Sequence, residues 1–283
     1  MAYHINYAYT CSRGKVRVNN EDNFWCCGEM LPAQNQGLEG VCTGSRSQGS
    51  GPVLAVFDGM GGESQGEMAA YLASGEFGNY YKKNRRNLKK DPEGFLKNAC
   101  QHMNDAVCGY GRQNRIRSMG TTMAMLAFGK EAAYACNLGD SRIYQMDDGR
   151  LLQVSTDHVL GSYMFGKAPL IQYLGMQEDN MVPEPSVARL EYRKGIRYLL
   201  CSDGLTDMLT DREIGETLSG EKKIEEIVGE LADKVLRKGA RDNTTIILCE
   251  MQEHPPLRLR LISGKKKDLK VMRNEKPDAG SGL

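Results

Sequence analysis

The sequence predicts an α+β domain with an antiparallel, β-rich core and helices on its outer faces. Three observations lead there. Short runs of β-formers recur along the chain, many joined by turns that contain Gly or Asp-Gly. Two helical blocks interrupt them, one ending near Arg112 and one opening at Thr210. A last apolar run, Thr244 to Cys249, reads as a further buried strand. The order is strands, two helices, many strands, two helices, last strand.

Residues 3–10 alternate polar and apolar and form the first expected strand, with Ser12-Arg13-Gly14 as its turn. The polar loop Arg17-Val18-Asn19-Asn20-Glu21-Asp22-Asn23 precedes Phe24-Trp25-Cys26-Cys27. Residues 29–51, rich in Gly, Ser and Gln, read as an exposed hairpin loop. Val53 to Phe57 is a buried strand that stops at Asp58 and enters the glycine-rich turn Gly59-Met60-Gly61-Gly62. A helix is expected over 63–81, and a second from Pro92, capped by Asp91, to about Arg112. Between them lies the basic run 82–90, a solvated linker or a dock for an acidic partner.

Residues 123–128, 132–138, 142–146 and 151–154 then read as an antiparallel meander. Residues 155–186, with three prolines and several glycines, read as an inserted loop or lid. Strands resume at 187–191 and 197–202, the latter ending at Ser202-Asp203-Gly204. Thr210 and Glu213 form a capping box for a short helix, and 223–238 has helical apolar spacing.

Composition excludes several classes of function. A net charge of +1 predicts no nucleic-acid or membrane partner. No apolar run reaches the roughly 18 residues of a spanning helix, and the N-terminus lacks the pattern of a secretory signal. Nine scattered cysteines without a C-x-x-C pair predict reduced, mostly buried thiols in a cytoplasmic protein and no structural zinc.

The acids Glu21, Asp22, Asp58, Asp140, Asp203, Asp207 and Asp242 sit at expected strand ends or tight turns. Each has an ordinary local explanation; Asp58, for instance, also fits an N-cap. Grouped carboxylates repel unless cations lie between them, and an oxygen-only donor set selects Mg²⁺ or Mn²⁺. Two such ions about 3.5–4 Å apart could hold a bridging water for attack at phosphorus, with an arginine on the remaining phosphate oxygens. Spacing alone does not show that these acids meet.

Seven segments together resemble the metal-dependent protein phosphatases, the type 2C serine/threonine phosphatases, and in their bacterial form. They are Arg17-Val18-Asn19-Asn20-Glu21-Asp22, Val56-Phe57-Asp58-Gly59-Met60-Gly61-Gly62, Met119-Gly120-Thr121-Thr122, Asn137-Leu138-Gly139-Asp140-Ser141-Arg142, Thr156-Asp157-His158, Ser202-Asp203-Gly204-Leu205-Thr206-Asp207 and Asp242-Asn243-Thr244-Thr245. The resemblance covers residues 4–250 and implies a four-layer α-β-β-α sandwich of two antiparallel sheets flanked by helix pairs. It implies a catalytic domain over 1–252, with a short flap at about 159–186, and a basic, flexible tail over 253–283.

The resemblance also assigns roles. Asp58 would bridge two Mn²⁺ or Mg²⁺ ions, with Glu21 and the Gly59 carbonyl on one of them and Asp203 and Asp242 on the other. Asp22 would orient metal-bound water, and Arg17 would grip the substrate phosphate. Asp140, Asp203 and Asp207 would form a third metal site. The implied reaction is hydrolysis of phosphoserine or phosphothreonine by a water bridging the two ions, without a phosphoenzyme. The implied setting is a cytoplasmic monomer opposing a serine/threonine kinase.

Two departures stand out. Met60 replaces the histidine that many eukaryotic members carry, and methionine donates no proton, so His158 becomes a candidate general acid beside a plain structural role. The segment Lys167 to Gly175 looks like a degenerate end of the flap, which usually carries an arginine. Two other functions fit the same fold: a silent regulatory module, and a phosphohydrolase acting on small phosphoesters.

Overall fold

The structure, a computed structural model, describes residues 3–61, 65–161, 168–176 and 182–253. In chain order the strands are β1 (Tyr3–Ser12), β2 (Asp22–Cys26), β3 (Cys42–Ser47) and β4 (Val53–Gly61). Helices α1 (Gln65–Asn84) and α2 (Pro92–Asn114) follow. Then come β5 (Met119–Thr121), β6 (Met123–Phe128), β7 (Ala132–Leu138), β8 (Arg142–Asp147), β9 (Arg150–Gln153), β10 (Ser186–Glu191) and β11 (Arg197–Cys201). Helices α3 (Asp203–Thr206), α4 (Asp211–Leu218) and α5 (Ile224–Arg237) precede the closing strand β12 (Thr244–Glu253).

The strands form two antiparallel sheets. One has the order β3-β1-β12-β11-β8-β9 and the other β10-β7-β6-β4-β2, with β5 paired to the end of β4. Four layers follow from the side-chain period of two. In β4, Leu54 and Val56 face the other sheet beside Ile5, Leu126, Leu200 and Ile247. Val53, Ala55 and Phe57 face the opposite way, into a core shared with Phe77, Phe95 and Leu96 of α1 and α2. In β11, Tyr198 and Leu200 face the inter-sheet core, while Leu199 and Cys201 pack on Ile227, Leu231 and Val235 of α5. Strands buried on both faces read as continuous apolar runs, which is why β4, β6 and β11 are visible in sequence.

The helix starts are set locally. The Asp91 carboxylate accepts from the Gly94 amide at 3.0 Å, and Pro92 stands at the first helical turn. Thr210 and Glu213 bond reciprocally at the start of α4, as the capping box predicts.

Four expectations are corrected. The 29–51 loop contains β3, whose sequence Cys-Thr-Gly-Ser-Arg-Ser is mostly exposed on a sheet edge and therefore lacks apolar alternation. The β4 strand does not stop at Asp58 but continues to Gly61, because β5 pairs with its last three residues. The meander is not continuous: β6–β7 belongs to one sheet and β8–β9 to the other, so Gly139-Asp140-Ser141 is a crossover between layers and not a hairpin turn. Residues 203–206 form the one-turn helix α3, too short for periodicity to reveal. Gly62, the helix start at Glu63, Lys167, and the 253–283 tail beyond Glu253 lie outside the described residues.

Gly78 lies buried on α1, where a Cβ would stand 2.5 Å from the Trp25 ring. Helix propensity alone makes Gly→Ala stabilising by about 1 kcal/mol. We expect the reverse for Gly78→Ala, a loss of about 1–3 kcal/mol in urea unfolding, because the indole must shift in a filled core. A more stable variant would show that α1 does not pack this closely.

Candidate active site

Sequence neighbours do not build this site; strand pairing does. Asp22 in β2 lies directly opposite Asp58 in β4. Asp203 follows β11, Asp242 precedes β12, and Asp140 sits in the crossover from one sheet to the other. Arg17, Glu21, Asp58, Gly59, Asp140, Asp203 and Asp242 therefore line one cleft of about 300 Å³ at the end of the sandwich, with Met60 and Thr122. Asp22 is buried beneath it.

Asp22 is held through its carboxylate, and Asp58 and Glu21 through their main chains. The Ser202 and Thr245 hydroxyls both donate to Asp22 Oδ2 at 2.7 Å, while Asp22 Oδ1 is buried without a hydrogen-bond partner. The Asp58 main chain is clamped by two threonines. Its N–H donates to Thr122 Oγ1 at 3.1 Å, and its carbonyl accepts from Thr122 N–H at 2.8 Å and Thr121 Oγ1 at 2.9 Å. The Glu21 amide donates to Asn243 Oδ1 at 2.8 Å, and Asn243 Nδ2 donates to the carbonyls of Arg13 and Asn19. Asn243 thus fastens the 13–21 loop to the start of β12.

Gly59 and Gly66 make a second close approach. A Cβ on Gly59 would meet the Gly66 carbonyl oxygen at 2.1 Å, and one on Gly66 would stand 2.9 Å from the Glu21 carboxyl carbon. Only two bare backbones let the start of α1 approach Glu21 this closely. Glu67, buried in the first turn of α1, adds another acid near Glu21.

The electrostatics record this crowding. Burial, and then Asp203, Asp22, Asp140 and Asp242, push the Asp58 carboxyl well above the ordinary carboxylate range. Burial pushes Asp22 up to about 7, with Asp203 and Asp242 acting in the same direction and the two hydroxyls against it. Burial also raises Glu21, which Arg17 opposes and Glu67 and Asp242 reinforce. Arg17 Nη2 donates to Asp242 Oδ2 at 2.8 Å, holding a guanidinium at the mouth of the cleft.

These residues fit hard divalent cations. The cleft offers carboxylates and main-chain carbonyls, and no Cys or His lines it among the described residues. The orphaned Asp22 Oδ1 and the mutually raised acids mark a site whose negative charge exceeds what Arg17 offsets, a donor set suited to cations. Among the described residues no three acids stand as a ready ligand shell. What the cleft provides is convergence of the acids.

His158 lies elsewhere. Its Nδ1 accepts from the Gly139 amide at 3.2 Å, and its Nε2 bonds Ser186 Oγ at 3.0 Å. Burial lowers its pKa. Both ring nitrogens are thus engaged away from the cleft, an arrangement that favours the structural role over the acid. Asp207, four residues past Asp203, is exposed and does not line the cleft.

The motif 156–158 is instead the partner of the motif 137–142. Asn137 exchanges hydrogen bonds with the Thr156 main chain, Asp157 binds Arg142 through both Nε and Nη2, and His158 holds Gly139. Together they fix the crossover that presents Asp140. On the far wall, Ala168 and Leu170 line the cleft. The stretch after them is pinned to the body: Leu174 bonds Thr121 in both directions, and Asn104 Oδ1 accepts from Gly175 and Met176.

Sequence reasoning did not single out the supporting roles of Ser202, Thr245, Thr122 and Asn243, although Ser202 and Asn243 adjoin Asp203 and Asp242 and so gave a usable signal. Gly66 and Glu67 gave no local signal, since their importance depends on where α1 docks.

Residues 42–250 match the family model described as protein phosphatase 2C. The chain is 28% identical over 270 residues to the serine/threonine protein phosphatase PstP of Mycobacterium tuberculosis, covering 88% of this chain and 46% of that protein. It is 26% identical over 258 residues to the serine/threonine phosphatase stp of Listeria monocytogenes, covering 86% of this chain and 94% of that one. It therefore spans about half the length of the mycobacterial relative and nearly all of the Listeria one. The crystal structure of Mycobacterium tuberculosis PstP superposes with a TM-score of 0.71 at 27% identity, over 89% of this chain and 100% of that chain. The PstP catalytic domain in complex with two manganese ions superposes at 0.68 with 28% identity, again over 89% and 100%. With these matches, and with its acids gathered in one cleft, the chain belongs to the protein phosphatase 2C family.

Proposed function

We propose that the protein is a metal-dependent serine/threonine phosphatase that hydrolyses phosphoserine and phosphothreonine in proteins. One observation supports this most: Asp58, Asp140, Asp203 and Asp242, four aspartates from both sheets and the crossover, converge with Glu21 and Arg17 on a single cleft, with Asp22 buried beneath them. Asp58, the Gly59 carbonyl and Glu21 would hold one Mn²⁺ or Mg²⁺ ion, and Asp58, Asp203 and Asp242 a second. Asp140 and Asp203, with Asp207 reaching in from the surface, would hold a third. When bound, such ions lower the pKa of a coordinated water and polarise phosphoryl oxygens.

The chain's own groups do the rest. Asp22, fixed by Ser202 and Thr245, orients the carboxylates and water above it. Arg17 presents a planar fork of N–H donors to the phosphate oxygens at the mouth. No Cys, Ser or His lines the cleft among the described residues, which favours direct hydrolysis over a covalent intermediate on such a side chain. Met60 donates no proton and His158 is engaged elsewhere, so the leaving oxygen would take its proton from water or another group in the cleft. Working partners would be phosphoproteins made by a serine/threonine kinase, met by a monomer in the cytoplasm. The nine free cysteines, most of them buried, suit a reducing compartment. We assign residues 1–252 to the catalytic domain.

Initial rates on a phosphothreonine peptide test this reading. Turnover should require Mn²⁺ or Mg²⁺, vanish in excess EDTA, and fall more than about 100-fold in Asp203→Asn, beyond what changes behind the ligands cost. Activity that survives EDTA would refute the reading. Faster hydrolysis of small phosphomonoesters than of the peptide would point to a small-molecule phosphohydrolase, and no Mn²⁺ binding in calorimetry to a silent module.

The raised carboxyls give a stability test with a definite sign. A carboxyl whose folded pKa exceeds its unfolded value keeps a proton in the folded state, so stability is lost as pH rises through that window. In EDTA at pH 8, Asp58→Asn should therefore melt higher than wild type, by roughly 3–8 °C. With excess Mn²⁺ the order should reverse, since bound ions stabilise only the protein that holds them. If the variant melts lower in EDTA, the acids are not in conflict. Deleting residues 255–283 should leave peptide turnover unchanged; a loss would place the tail in the catalytic unit.

A further inference from the structure

The basic run after α1 is more organised than a solvated linker. Arg85, Arg86, Lys89 and Lys90, with Gly49 and Ser50, line a cleft of about 480 Å³. Its base is anchored: Leu88 is fully buried, and residues 87–89 form a 3-10 turn closed by main-chain bonds from Lys90 and Asp91 to Asn87. Its opposite wall is fixed as well. Lys89 Nζ donates to the Gly49 carbonyl at 2.7 Å, and Tyr81 donates to that of Gly51 at 2.9 Å. Gln48 Nε2 donates to the carbonyls of Gly129 and Lys130, tying the turn to the β6–β7 connection.

No acidic side chain lines this cleft, and among the described residues none of its four cations is paired with a carboxylate. Four like charges held on one concave surface repel one another and favour an anion. A chain with net charge +1 has no general reason to concentrate them there. The chemistry narrows the anion. The lining contains no aromatic ring on which a base could stack and no apolar side chain to enter a bilayer. A cleft of this volume accepts a few side chains.

Its position relates it to the other cleft. Helix α1 starts where Gly66 meets Gly59 and Glu21, and ends at Asn84, immediately before Arg85. Its 20 residues span about 30 Å. We propose that this basic cleft docks an acidic segment of the phosphoprotein substrate while the phosphoresidue occupies the carboxylate cleft, a proposal that rests on the phosphatase reading. An extended chain needs roughly nine residues or more to join the two.

The test uses phosphothreonine peptides that carry five glutamates, or five glutamines, beginning about ten residues to either side of the phosphothreonine. The same glutamate segment, unphosphorylated and fluorescently labelled, is titrated by anisotropy at low and high salt. The cleft variant is Arg85→Gln/Arg86→Gln/Lys90→Gln. A charge-matched control is Arg150→Gln/Lys194→Gln/Lys223→Gln, on exposed residues elsewhere.

We expect the glutamate version on at least one side to show a kcat/KM ten-fold or more above its glutamine counterpart, through KM. The cleft variant should lose that gain and leave glutamine-peptide turnover unchanged, while the control keeps it. The labelled segment should bind wild type in a salt-dependent way, and the cleft variant at least ten-fold more weakly. Equal turnover of glutamate and glutamine peptides, or the same loss in the control variant, overturns the proposal. So does a single-stranded oligonucleotide that binds the cleft more tightly than the acidic segment. Binding does not depend on turnover. Hydrolysis without any glutamate effect sinks the docking proposal alone, whereas cleft-dependent binding without hydrolysis of any phosphopeptide upholds an acidic docking site and sinks the phosphatase reading.

Discussion

Asp22 and Asp58 face each other across neighbouring strands, and much of the architecture answers that one conflict. Like charges directly opposite in an antiparallel pair destabilise it. Here Asp22 is also buried and Asp58 partly so, and Asp203, Asp140 and Asp242 crowd in from the other elements. Left alone, the cluster relaxes by holding protons, as the raised carboxyls record. The fold keeps the acids together because large apolar cores on both faces of each sheet fix the strand ends that bear them. The cost in stability is the same arrangement that favours a divalent cation.

Both sheets contribute acids. β2 and β4 present Asp22 and Asp58 from one, and β11 and β12 flank Asp203 and Asp242 from the other. Ser202 and Thr245, at the ends of β11 and β12, reach across to Asp22 and join the two sets. Asp140 belongs to neither sheet. It is positioned by the interlocking of Asn137, Gly139 and Arg142 with Thr156, Asp157 and His158. A histidine that could be read as a proton donor is, in its contacts, a fastener of that crossover.

Charge is sorted along α1. Its start lies against the acids, with Glu67 in the first turn, and its end leads into the basic cleft. Acids near a helix start and cations near its end both agree with the helix dipole. The helix therefore holds two oppositely charged surfaces about 30 Å apart on a rigid element. A net charge of +1 conceals this separation, which is a property of placement and not of composition.

By itself the sequence determined the types and order of the apolar and well-capped elements, though not of the exposed strand β3 or the one-turn helix α3. Apolar runs such as Val53–Phe57 and Tyr198–Cys201, and signals such as Asp91-Pro92 and Thr210–Glu213, act over a few residues. It also marked the acids, through seven short segments whose family order could be recognised. Only the tertiary structure decided which acids meet. It put Asp22 opposite Asp58, took Asp207 out of the cleft lining, and made Gly139–Ser141 a passage between sheets. It also revealed the polar edge strand β3, the Gly59–Gly66 approach and the basic cleft. The physical reason is range. Propensity, capping and periodicity are local, whereas a site built from residues 17, 58, 140, 203 and 242 exists only after long-range strand pairing has closed, and no local pattern encodes that pairing.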